Sequence, residues 1–148
     1  MPYPLLLVED GPLVLLTTQS VLEERGYEVV TATRGGSAVE RLHEPISALI
    51  TDIGLPDGVS GWDVARRARE VQPGIPVIYT SGGSIEDTAA NAVPGGVMLQ
   101  KPYRADLLLW TVAALVGSAA GDDRARASTP HAARVSGPVR GSFEMGQG

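Results

Sequence analysis

Short apolar runs alternate with longer amphipathic stretches along the first 116 residues. Leu5-Leu6-Leu7-Val8 is a continuous apolar run, as a parallel strand buried on both faces requires. Gly11-Pro12 then opens a helix predicted from about Leu13 to Arg25, with Pro12 in its first turn and Gly26 as its stop. Glu28–Ala32 reads as a second strand, and Gly35-Gly36-Ser37 leads into a short helix ending near Glu44-Pro45. Ile46–Thr51 is the third strand, followed by Asp52 and the turn residues Pro56-Asp57-Gly58. Ser60 is placed to cap a helix over 61–71, which Gln72-Pro73-Gly74 ends. Pro76–Thr80 is a fourth strand, and a helix is expected from Ile85 to about Val93 before Pro94-Gly95-Gly96. Val97-Met98-Leu99 is the fifth strand, and Arg104–Val116 is a final amphipathic helix. Five strands alternating with five helices predict an α/β fold, a doubly wound parallel sheet with helices on both faces.

From Gly117 the periodicity stops. Residues 117–148 hold six Gly, two Pro and one aromatic, Phe143, too little apolar area to offset chain entropy, so a disordered tail is expected. Arg124, Arg126, Arg134 and Arg140 would be its handles if it docked. The chain of 148 residues, 43% hydrophobic, thus divides into one domain over 1–116 and a tail over 117–148. Its net charge of −5, with eight basic and fourteen acidic residues before 117, argues against nucleic-acid binding. With no cysteine, no signal-peptide pattern and no apolar run of spanning length, a cytoplasmic protein that does not enter membranes is expected.

The strand ends carry the polar groups: Glu9 and Asp10 after the first, Asp52 after the third, Thr80 and Ser81 at the fourth, Lys101 after the fifth. With strand order 2-1-3-4-5 the first and third strands are neighbours, and Glu9, Asp10 and Asp52 meet at the switch point. Three carboxylates there repel one another unless a cation lies between them, and an oxygen-only ligand set suits Mg²⁺. Lys101 offers a compact charge and Thr80 a hydroxyl, both fitted to a phosphoryl oxygen. The matching chemistry is phosphoryl transfer onto Asp52 as nucleophile. Singly, each residue has an ordinary explanation: helix-start acids, a β-branched strand residue, a surface lysine. Together at matching ends of one sheet they point to a site.

The ordered set Leu7-Val8-Glu9-Asp10, Thr51 to Gly58 with Ser60-Gly61-Trp62, Tyr79-Thr80-Ser81-Gly82 and Lys101-Pro102-Tyr103 resembles the receiver domain of two-component response regulators, of the stand-alone, chemotaxis-regulator-like kind. The resemblance spans nearly all of residues 4–116 and implies a flavodoxin-like fold. It implies Asp52 as phosphoacceptor, supplied by a histidine kinase or histidine phosphotransfer protein. It further implies Glu9, Asp10, Asp52 and the Gly54 carbonyl around Mg²⁺, Thr80 as the hydroxyl that follows the phosphoryl group, Lys101 as its cation, and a cis Lys101-Pro102 bond. Three residues before the lysine the family usually has Tyr or Phe, whereas this chain has Met98, so the switch is expected either at Met98 or elsewhere, for example at Tyr103.

A first helix burying Val14, Thr17 or Thr18, Val21 and Leu22 would leave Leu15 or Leu16 outward. The resemblance implies partner docking in that region, around Val14, Leu15 and Leu16. Receivers also form dimers through the last helix, where Leu107 to Trp110 are apolar, so a homodimer is a further expectation. The reading is therefore a single-domain regulator that signals by contacts with a downstream protein or shuttles phosphoryl groups, with autophosphatase chemistry and no external substrate. The competing readings are a phosphorylation-independent interaction module and a Mg²⁺-dependent phosphohydrolase, the latter disfavoured because Gly54 stands where its general acid would be.

Overall fold

The computed structural model of the chain describes residues 3–83 and 88–117. Its elements follow the order β1 (Leu5–Val8), α1 (Pro12–Glu24), β2 (Val29–Ala32), α2 (Gly35–Arg41), β3 (Ala48–Asp52), α3 (Gly61–Val71), β4 (Val77–Ser81), α4 (Thr88–Asn91), β5 (Val97–Gln100) and α5 (Ala105–Val116). All strand pairings are parallel, in the order β2-β1-β3-β4-β5. The predicted doubly wound, flavodoxin-like sheet is what the chain forms. The predicted start of the fourth helix at Ile85 and the tail beyond Gly117 lie outside the described residues.

The strands alternate between two cores because successive side chains point to opposite faces. Leu6, Val8, Leu49, Val77, Tyr79 and Met98 meet Ala38, Leu42, Val64 and Ala68 on the face covered by α2 and α3. Leu5, Leu7, Ile50, Ile78 and Leu99 meet Leu22, Leu108 and Val112 on the face covered by α1 and α5. Both faces are apolar, which is why β1 reads as an unbroken run. Each fully buried Leu, Ile or Val contributes roughly 1.5–3 kcal/mol relative to exposure.

Helix α3 starts as predicted at Ser60. Its hydroxyl accepts from the Asp63 amide (3.2 Å), and the Asp63 carboxylate accepts from the Ser60 amide (3.0 Å), a reciprocal capping box. Ser60→Ala should therefore lower stability by about 1 kcal/mol in urea denaturation. The Ser60 amide, and next Arg66, hold the Asp63 carboxyl below its ordinary value. A depressed carboxyl stabilises the fold above its unfolded pKa, and that contribution is lost as pH falls through the lower folded value. Ser60→Ala keeps the Ser60 amide that lowers the Asp63 carboxyl, so both chains should lose this contribution together below about pH 4 and the gap between their curves should largely persist.

Helix α1 buries Thr18 and Leu22 as expected but turns Leu15 inward in place of Val14. Thr18 and Leu22 are buried and Leu15 packs into the second core, whereas Val14 faces outward. The spacing 15, 18, 22 serves a helix face as well as 14, 18, 21 and 22. Leu15 is the one that meets the second core, and from the same stripe the Thr18 hydroxyl bonds the Tyr103 hydroxyl (3.1 Å). Gly26 (φ 91°) ends α1 in the left-handed region, as its position predicted. Past it, the Tyr27 hydroxyl donates to the Gly117 carbonyl (3.0 Å) and ties the end of α5 to the start of β2. No helix among the described residues is long and apolar enough to cross a membrane.

Candidate phosphoryl-acceptor site

Parallel strands place their carboxyl ends along one edge of the sheet, and that edge carries the site. Asp52 closes β3 and is the register partner of Thr80 on β4. Both are buried, at 8% and 3% exposure, so these two groups have been taken out of water by folding. Glu9 and Asp10 follow β1, where the Glu9 amide still donates to the Ala32 carbonyl (3.0 Å). Lys101 follows β5, its amide donating to the Ser81 carbonyl (2.7 Å), and the Lys101-Pro102 bond is cis, as expected.

The Lys101 ammonium sits between two carboxylates, 2.7 Å from Glu9 Oε1 and 3.1 Å from Asp52 Oδ2. Burial pulls the ammonium down, but the hydrogen bonds to Glu9 and then Asp52, with their charges, outweigh it and hold the group above the ordinary lysine value. Glu9 Oε2 also accepts from the Gly11 amide (3.0 Å), and Asp52 Oδ1 from the Gly54 amide (3.3 Å). One cation thus serves two largely buried anions. Lys101→Met should lower stability in metal-chelated buffer by about 2 kcal/mol, below the 3–5 kcal/mol typical of fully buried pairs because Lys101 keeps some exposure. Unchanged melting in that buffer would mean the bridge contributes nothing to stability.

Glu9, Asp10 and Asp52 each offer a carboxylate oxygen, and these atoms lie within 4.8 Å of one another. Two of the three side chains are buried and Asp10 is exposed. An all-oxygen set open on one side fits a small hard divalent cation that retains waters, as Mg²⁺ does. The site therefore brings together a buried carboxylate, a hydroxyl donor, a lysine and a cation-binding acid cluster.

This arrangement coincides with a family match: the family model of the response regulator receiver domain covers residues 5–113. The chain belongs to this family. The receiver domain is 33% identical over 101 residues to the response regulator SaeR of Staphylococcus epidermidis, covering 67% of this chain and 44% of SaeR. The chain spans less than half the length of that relative. A response regulator receiver protein from Sinorhizobium medicae WSM419 superimposes with a TM-score of 0.75 at 34% identity, covering 77% of this chain and 94% of that one. The receiver domain of the sensor histidine kinase PA1611 from Pseudomonas aeruginosa PAO1, solved with magnesium in its active-site cleft, shares the fold with a TM-score of 0.70 at 24% identity, covering 80% and 100%.

The receiver brings Glu9, Asp10, Asp52, Thr80 and Lys101 to one edge, and Gly54 lies two residues past Asp52. Met98 and Tyr103 sit differently. Met98 is buried on the α3 face. Tyr103 packs with the α1–α5 core, and its phenol is raised chiefly by burial, against the opposing pull of the Thr18 hydrogen bond. Of the three residues expected at a docking surface, Leu16 is exposed (62%) and Val14 is at the surface (37%), but Leu15 is turned inward, which corrects that expectation. Leu13, 75% exposed, completes the outward patch instead.

Two features were not anticipated. The Asp57 carboxylate crosses to α2, accepting from the Gly35 (3.2 Å) and Gly36 (3.0 Å) amides, and these bonds, led by Gly36, hold its carboxyl below the ordinary value. It thereby pins the loop after Asp52 to a helix start 21–22 residues earlier. The second is Tyr79, the fully buried neighbour of Thr80. An Asp in a Pro-Asp-Gly turn reads as turn chemistry, and a Tyr in a β-run reads as core, so neither carried a signal of its own.

Proposed function

We propose that Asp52 accepts a phosphoryl group from the phosphohistidine of a histidine kinase or histidine phosphotransfer protein, and that the phosphorylated domain signals through contacts with a downstream protein or passes the group on. The observation that carries this is the convergence of buried Asp52 with Lys101, Thr80 and the acid cluster. An Asp52 oxygen forms the new O–P bond in line with the breaking P–N bond, and the electron pair stays on the donor imidazole. Lys101 Nζ, already on Asp52 Oδ2, pairs with a phosphoryl oxygen. The Thr80 hydroxyl donates to another. Glu9, Asp10, Asp52 and the Gly54 carbonyl would hold Mg²⁺, which neutralises charge building on the phosphoryl oxygens. Later attack of water on the aspartyl phosphate returns the domain to its resting state, which makes it a self-resetting switch in the cytoplasm and not an enzyme with an external substrate.

The patch of Leu13, Val14 and Leu16 flanks the pocket just past Asp10 and suits the donor protein. Intact-protein mass after incubation with acetyl phosphate tests the reading. One added phosphoryl group with Mg²⁺, and none with excess EDTA, is the expected pair of results. A chain that takes up nothing and does not bind beryllofluoride with Mg²⁺ would instead be a phosphorylation-independent interaction module, the reading that Met98 favours.

A further inference from the structure

Tyr79 immediately precedes Thr80 on β4 and is fully buried on the face opposite the second core. Its register partner on β5 is Met98. The ring is gripped on two sides. Its centroid lies 4.7 Å from that of Trp62, tilted by 53°, and a Cβ at Gly96 would come within 2.8 Å of Tyr79 Cε2. A residue larger than glycine at 96 would have to push the ring aside.

At its far end the phenolic oxygen accepts the Val93 amide (3.0 Å) in a buried hydrogen bond. Burial first of all raises this phenol above its ordinary value, so it stays neutral at physiological pH. Val93 lies just past α4, which is a single turn over Thr88–Asn91, and Arg66 Nη1 also reaches this stretch at the Asn91 carbonyl (3.3 Å). A buried amide deprived of its acceptor is costly, so the Tyr79 bond weighs more in placing the end of α4 than the exposed Arg66 contact does.

We propose that the Tyr79 hydroxyl is a latch: it holds the end of α4 against the sheet while Asp52 is free and releases Val93 when the site is occupied. The trigger rests on the phosphoacceptor reading above. Asp52 and Thr80 are register partners, so a shift of Thr80 toward a phosphoryl oxygen moves the backbone on which Tyr79 sits. The ring, wedged between Trp62 and Gly96, follows the backbone as a rigid piece. Its hydroxyl, at the end of the longest side chain on that strand face, is where the displacement is greatest. The aromatic hydroxyl at this point of the sheet is thus on β4, beside an aliphatic thioether on β5.

Amide hydrogen exchange on peptides covering β4 and residues 91–96 tests the latch in the native chain and in Tyr79→Phe, each with and without beryllofluoride and Mg²⁺. Tyr79→Phe keeps the ring and removes only the acceptor. In the native chain, beryllofluoride is expected to speed exchange at Val93 about tenfold. In Tyr79→Phe, Val93 is expected to exchange at that faster rate from the outset, with no further change on activation, while acetyl phosphate still adds one phosphoryl group. Gly96→Ala, which displaces the same ring without touching the hydroxyl, should give the same fast basal exchange. Equal basal protection of Val93 in the native chain and Tyr79→Phe would overturn the latch, as would an unaltered response of 91–96 to beryllofluoride in the variant. If no phosphoryl group is taken up by either chain, the acceptor reading fails, and the basal comparison alone decides whether the tyrosine holds the end of α4.

Discussion

Asp52→Asn is expected to take up no phosphoryl group from acetyl phosphate and Mg²⁺ under conditions in which the native chain takes up one. The amide has the shape of the carboxylate but not its charge or its nucleophilic oxygen, so the O–P bond has no partner to form with. The variant keeps an oxygen able to accept the Gly54 amide, and Lys101 keeps Glu9 as its counter-ion. The fold should therefore survive, with a stability change of about 1 kcal/mol or less, because one of the two negative charges competing for a single cation is gone. Mass and melting measured side by side separate the two effects. Uptake by the Asn variant would place the acceptor on another residue, and unfolding of the variant would show that the carboxylate itself holds the edge of the sheet together.

Gly61→Ala is expected to be the most disruptive small substitution near the site. A Cβ there would lie 2.1 Å from the Asp52 carbonyl oxygen, 2.7 Å from Ile53 Cα and 2.8 Å from the Asp52 carbonyl carbon. All three are backbone atoms, which cannot turn aside as a side chain can. The Gly61 amide is also bonded to the Ile53 carbonyl (3.0 Å), so α3 cannot back away without losing that bond. A cost of about 3 kcal/mol follows from overpacking against fixed atoms. For a domain of this size that is a fall of roughly 10–20 °C in melting temperature. Phosphoryl uptake should slow as well, since the atoms displaced belong to Asp52, the proposed acceptor. A loss under about 1 kcal/mol in urea denaturation would mean that the start of α3 is softer than its capping box implies.

The fold was legible because β1, β3 and β4 are buried on both sides: an apolar run such as Leu5–Val8 or Leu49–Ile50 has no other use in a chain this short, and glycine, proline and Ser60 punctuate the rest. The site was legible for a related reason, since a polar residue at the end of such a run stands out against the apolar background. Asp52 and Ser81 proved to be the last residues of their strands and not the first after them, a shift of one position that frayed element ends make common. What was not legible depends on contacts distant in sequence. The pinning of the loop after Asp52 by Asp57 needs a helix start 21–22 residues away, and the Tyr79 bond needs an amide 14 residues on. Nor can helical spacing alone choose between Val14 and Leu15, because both share a face with Thr18, and only the packing of the helix on the second core turns Leu15 inward.

The bond between Tyr27 and Gly117 has a practical corollary. Helix α5 runs back along the sheet, so Gly117 is fastened at the edge opposite Asp52, roughly 15 Å away across strands of four to five residues. A sensor surface coupled through a handle placed after Gly117 would hold the molecule by its far edge. The pocket and the outward leucines of α1 would then face the flow, and the binding of a donor protein could be timed without the anchor standing in its way.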